Sequence, residues 1–146
     1  MTDSFKFCPP GLAERLQQMK FVESDSTPWT PFQKKIEECK FALLTTAGIS
    51  MKGDRPFDMD RERREPTWGD PSFRVIPKDA RQEDLEVNHL HINTRDIKRD
   101  VNCAFPLALF RELEMEGRIG SLAEKNYSIM GYIPIPHTAA LIKETA

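Results

Sequence analysis

The feature that most constrains this chain is the apolar stretch Phe41-Ala42-Leu43-Leu44, running into Thr45-Thr46-Ala47-Gly48. The stretch is short and a glycine turn follows it, so residues 41–46 read as a buried strand. A strand apolar on both faces suits the middle of a sheet covered on both sides. A helix start signal precedes it. Thr30 is placed to cap, Pro31 suits the first turn, and Gln33 completes a capping box. Phe32, Ile36 and Cys39 would form that helix's apolar stripe. Helix, buried strand and glycine turn in this order form an α/β pattern.

Upstream, Leu12, Leu16 and Met19 make one helical stripe after the break at Pro9-Pro10, and residues 23–28 read as a polar linker. The chain therefore divides into an N-terminal helical arm and linker, residues 1–29, and an α/β domain, residues 30–146. Residues 50–71 read as a long irregular loop with Gly53, Pro56, Pro66, Gly69 and Pro71. Its charged run from Asp58 to Glu65 has nearly balanced signs, which suits a solvated loop, with a subunit contact as the alternative. Phe73 and Val75 alternate in an expected strand over residues 72–76. A second is expected over 85–92, with Leu85, Val87, His89 and His91 on one face. Residues 106–116 carry the clearest later helix, opened by Pro106 and closed by Gly117. Short strand or turn segments follow at 119–123 and 127–130.

Length and charge bound the function. The chain's 146 residues suffice for one domain with a real core. The net charge of −2 offers no basic footprint for nucleic acid. No apolar run approaches a membrane span. Met1-Thr2-Asp3-Ser4 lacks the basic and apolar regions of a secretory signal, so a cytoplasmic location is expected. Cys8, Cys39 and Cys103 are widely spaced and form no CxxC, which suits reduced thiols rather than a disulfide scaffold or a cysteine zinc site.

Three places carry candidate chemistry. His89 and His91, two residues apart on a strand, would share a face and converge on a substrate or a metal, with Asp96, Asp100 and Cys103 close behind in sequence. The alternative is one histidine packed at a sheet edge and the other solvated. Asp100, Asn102 and Cys103 lead into a helix N-terminus, a place suited to a carboxylate and to lowering a thiol pKa. The alternative there is that Asp100 and Asn102 cap the turn while Cys103 packs as a small apolar residue. Thr46 and Gly48 lie at the carboxyl end of the expected strand, where α/β sheets gather ligands; a plain strand-to-loop turn is the other reading.

Several segments taken in order resemble one family. They are Pro28-Trp29-Thr30-Pro31, residues 42–49, Gly53-Asp54-Arg55-Pro56-Phe57-Asp58, residues 69–77, His89-Leu90-His91, residues 100–106, Glu116-Gly117-Arg118-Ile119-Gly120, and Tyr127-Ser128-Ile129-Met130-Gly131-Tyr132. The set is similar to the selenoprotein B family of glycine, sarcosine, betaine and D-proline reductases, over roughly residues 28 to 146. The resemblance implies an oxidoreductase subunit that takes part in reductive cleavage of a carbon–nitrogen bond in a small amino acid or betaine. It implies a selenocysteine or cysteine nucleophile, a pyruvoyl group on a partner subunit, and re-reduction by dithiols. The segment that carries the nucleophile in the family lies downstream of the part matched here. No residue of this chain matches it, so the chain itself is expected to hold no cofactor and no metal, and Cys103 does not take the nucleophile's place.

What carries over is a supporting shell of Thr46, Gly48, His89, His91, Asp100, Asn102 and Gly131. The expected fold is a three-layer α/β sandwich, flavodoxin-like or Rossmann-like, with a mostly parallel or mixed central sheet. The early strand should lie centrally, and an oligomer is expected. The chain is expected to be a fragment of a longer protein, one of two subunits that rebuild the domain, or a stand-alone module. The apolar tail, residues 133–142, favours the first two, because it needs something to pack against. The rival functions are a non-catalytic small-ligand module and a metal-dependent enzyme built on His89 and His91.

Overall fold

The computed structural model describes residues 5–18, 29–65, 68–131 and 133. The chain divides into two units, Met1–Gln33 and Lys34–Ala146. In the first, helix α1 spans Pro10–Gln18 and begins at the proline break; none of its residues is buried. Met19, the linker 23–28 and the apolar tail beyond Ile133 lie outside the described residues.

The second unit is mixed α/β. Its strands are β1 (Lys40–Phe41), β2 (Leu44–Thr45), β3 (Ile49–Met51), β4 (Phe73–Pro77), β5 (Leu85–Val87), β6 (Ser121–Leu122) and β7 (Lys125–Ile129). Its helices are α2 (Met59–Arg64), α3 (Thr94–Arg99) and α4 (Leu107–Met115). β1 runs parallel to β6, and β2 parallel to β7. β4 lies antiparallel on the other side of β7, with Val75 opposite Tyr127. β3 and β5 form a separate antiparallel pair. The core gathers Ile49, Ile76, Leu85, Phe105, Leu107 and Leu122 between these strands and the later helices.

The expected helix over residues 30–39 does not form; a 3-10 turn, Ile36–Glu38, stands in its place. Phe32 and Ile36 stay exposed, so a helix there would bury no apolar face within the described residues. The backbone instead pairs with a distant segment. Gly120 N–H donates to the Ile36 carbonyl and Ser121 N–H to the Cys39 carbonyl. The stretch 41–46 is extended but not central. β2 is the edge of the order β2-β7-β4, and Leu44 is 60% exposed. The strand is also interrupted: Leu43 N–H donates to the Asn126 side-chain oxygen at 2.9 Å rather than to a strand backbone. β7 takes the central place, with Asn126 and Ser128 fully buried on one face.

The strand expected over 85–92 ends at Val87, so the histidines do not lie on it. α3 fills a stretch that carries little periodic signal; Asn93 caps it by accepting from Arg95 N–H. β4 and α4 follow the sequence reading. Gly117, at φ 68°, turns the chain out of α4, and Arg118 N–H bonds the Leu113 carbonyl. Among the described residues no helix is long and apolar enough to cross a membrane.

Candidate functional site

The site grows from the place where one strand segment changes partners. Up to Thr45 the chain pairs with β7; from Ile49 it pairs with β5. Between them Gly48 adopts φ 62°, a region that glycine enters without penalty. Its N–H bonds the Ile129 carbonyl, and its carbonyl accepts from Asn88 N–H at 2.8 Å. A Cβ on Gly48 would collide with the Asn88 carbonyl oxygen and the Met130 sulfur. Ile49 N–H then donates to buried Ser128 Oγ at 2.8 Å. Thr46 and Gly131 meet on the other side of the crossing, where a Cβ on Gly131 would stand 3.3 Å from Thr46. Gly131, far from them in sequence, is thus packed against the segment that carries Thr46 and Gly48.

Asn88 carries this crossing directly into the histidines. Past Asn88 the chain bends, and the His91 N–H donates to His89 Nδ1 at 3.0 Å. The rings lie edge to face, 5.9 Å apart. Burial pushes the His89 pKa below its ordinary 6.5, with the charge of His91 adding to this and Glu62 opposing it. His91 Nε2 lies 2.9 Å from Glu62 Oε1, an ion-pair distance. The Glu62 side chain is 1% exposed and that of His91 51%.

Glu62 is the residue that sequence reasoning missed. It lies within the charged run 58–65, which is the helix α2 rather than a solvated loop. The helix is firmly started. Asp58 caps it through Arg61 N–H, and Asp58 N–H is itself held by Asp70 Oδ2 at 2.9 Å. Burial pushes the Asp70 carboxyl up, but hydrogen bonds from Ser72 and Asp58 and the charge of Arg74 outweigh it, leaving the carboxyl below its ordinary 3.8. Arg74 also stands over the buried Phe57 ring and donates to the Arg55 and Pro56 carbonyls. The other charges of α2 are exposed, and Arg61 pairs with Glu65 and Arg63 with Asp60 along the helix. Only Glu62 turns inward.

A cleft of about 270 Å³ opens between the start of α2 and Asn88, lined by Arg55, Phe57, Asp58, Met59, Asp60 and Asn88. A second, of about 570 Å³, lies beyond Met59 and Asn88 toward Glu86, Ile97 and Val101. Asn88 walls both; the histidines line neither.

Asp100, Asn102 and Cys103 lie on a 3-10 turn, Val101–Cys103. Asp100 Oδ1 accepts from Asn102 N–H at 3.0 Å and from its side-chain amide at 2.9 Å, a local cap. Cys103 is exposed rather than packed. Asn102 Oδ1 is buried without a hydrogen-bond donor among the described residues. Thr45 Oγ1 donates to the Ala104 carbonyl at 2.9 Å, which ties this turn to the end of β2. Among the described residues no group of three or more His, Cys, Asp or Glu side chains is placed to hold a metal ion.

The model of the glycine/sarcosine/betaine reductase selenoprotein B family matches residues 15–141. The chain belongs to that family. Within the selenoprotein B family it is similar to the D-proline reductase subunit gamma of Acetoanaerobium sticklandii, 41% identical over 117 residues, which are 80% of this chain and 45% of that protein. It is also similar to the glycine reductase complex component B subunit gamma of Carboxydothermus hydrogenoformans, 28% identical over 107 residues, 73% of this chain and 24% of that protein. The selenoprotein B match thus spans under half the length of either relative. No solved structure matches the chain.

Proposed function

We propose that this chain is a cytoplasmic subunit or part of a reductase of the selenoprotein B type, contributing the polar shell around a small amino acid or betaine whose carbon–nitrogen bond is cleaved reductively. The observation that carries the reading is the family match, which spans the glycine crossing, the histidines and α2. Its likeness to a D-proline reductase subunit makes D-proline the first substrate to try.

Reductive cleavage sends the bonding electron pair to nitrogen, which takes a proton; an acyclic substrate then releases its amine, whereas the D-proline ring opens and keeps it. This chain's contribution is to bind, orient and handle that proton. His89 and His91, brought together beside the buried Glu62 carboxylate, are suited to proton work. The chalcogen nucleophile and pyruvoyl group, supplied from outside residues 1–146, would form the bond to carbon and activate the amine. External dithiols would provide the reducing electrons. A partner polypeptide or a missing C-terminal half is therefore part of the proposal. A binding module without turnover is the rival outcome.

The test is to isolate the native assembly through a tag on this chain and supply D-proline, glycine, sarcosine and betaine in turn with a dithiol. Product from one of them, and a selenocysteine- or cysteine-bearing segment in the assembly, is expected. An assembly without a reactive chalcogen, or without turnover of any of the four, sinks the reading.

A further inference from the structure

The two histidines commit their nitrogens differently. His89 Nδ1 accepts the His91 N–H. A ring nitrogen that accepts carries no proton, so neutral His89 carries its proton on Nε2. Protonating Nδ1 would break that bond in a half-buried place. His91 turns its Nε2 to Glu62, whose carboxylate is nearly fully buried. Neither Glu62 oxygen has a hydrogen-bond donor among the described residues, although His91 stands within ion-pair distance of one. A buried carboxylate is unfavourable unless a charge or donor compensates it. The arginines of α2 do not face it: Arg61, Arg63 and Arg64 are exposed, the first two paired with Glu65 and Asp60. An inward carboxylate on a well-capped helix that spends its arginines elsewhere is poor design for stability alone.

We propose that Glu62 is the positioning residue of the histidine pair and gives the rings different roles. Through Nε2 it holds His91 as the proton carrier. Held there, His91 keeps its N–H on His89 Nδ1, and that bond leaves His89 a neutral donor with its proton on Nε2. A neutral donor suits a polarised carbonyl or imine, and a carboxylate-backed imidazole suits proton delivery. This deepens the reading of the site as part of a reductase and rests on it for the substrate.

Nitrogen-resolved NMR of the histidine rings at neutral pH tests it. Native protein should show His89 neutral and protonated at Nε2. Glu62→Gln keeps size and helix but removes the charge; it should move the His91 ring signals and mix the His89 tautomers, while the backbone signals of β7 stay in place. If that variant does not fold, His91→Asn, read on His89, carries the same test. In the native assembly Glu62→Gln should lower kcat at least about tenfold and leave KM nearly unchanged. The ring signals need no turnover, so the expected signals in an inactive assembly sink the reductase reading and leave the positioning role standing. Native His89 protonated at Nδ1, or ring signals indifferent to Glu62→Gln, overturns the positioning role whatever the activity.

Discussion

A half-buried imidazole whose Nδ1 already accepts a hydrogen bond resists taking a second proton. Burial is the main reason that His89 sits below its ordinary 6.5. The unfolded chain binds that proton more readily, so below pH 6.5 the unfolded state carries more protons than the native one. The stability this site contributes is therefore complete above 6.5 and is lost as the pH falls through the folded value. Melting temperature should drop on acidification below 6.5, and His89→Gln should flatten that slope; an unchanged slope in the variant removes His89 as its source. The pairing of His89 with His91 was legible as a two-residue spacing, but its geometry was not. Alternation puts both rings on one strand face. The chain instead bends after Val87, and the His91 N–H fixes the His89 ring. Gly48 was legible as a turn residue; that its bare Cα admits the Asn88 carbonyl depends on residues forty positions away.

Helix α2 shows how an element hides among charges. The sequence 58–65 carries no apolar stripe, so periodicity gives a solvated loop. Local electrostatics make the helix instead: an aspartate cap, and ion pairs three and four residues apart. Asp58→Ala should cost about 1 kcal/mol of stability, seen as a lower denaturant midpoint. It should also disturb the His91 ring signals, because the cap sets the rotation that points Glu62 inward. A variant with native stability and native His91 signals would show that Asp70 and Phe57 hold the helix without the cap. The opposite error occurs at residues 30–39, where a good capping box makes no helix. A cap signal states where a helix can start, and only burial of a face decides whether it does. α4 was read correctly because both conditions coincide there: Leu107 and Phe110 face the core, and Gly117 closes the end.

At the scale of the molecule, the fold depends on segments about eighty residues apart lying side by side. Apolar composition showed that residues 41–46 are extended, but not that they form an edge, because edge and centre differ in partners rather than residues. The partner is the 121–129 ribbon, and one buried side chain joins the two. Asn126 accepts the Leu43 N–H through Oδ1 and donates to the Ala123 carbonyl through Nδ2. It thereby bridges the gap between β1 and β2 opposite the bend between β6 and β7. Asn126 is 0% exposed, and removing it leaves the half-buried Leu43 N–H and Ala123 carbonyl without their partner. Asn126→Ala should cost about 2–4 kcal/mol with an unchanged denaturant slope. Asn126→Asp keeps the acceptor for Leu43 but loses the donor and places a carboxylate against the Ala123 carbonyl, so it should cost at least as much. Volume is nearly conserved in that second variant, which separates the hydrogen bonds from packing. If Asn126→Asp matches the native midpoint while Asn126→Ala does not, the residue fills space and the parallel pairing is held by the strand backbones alone.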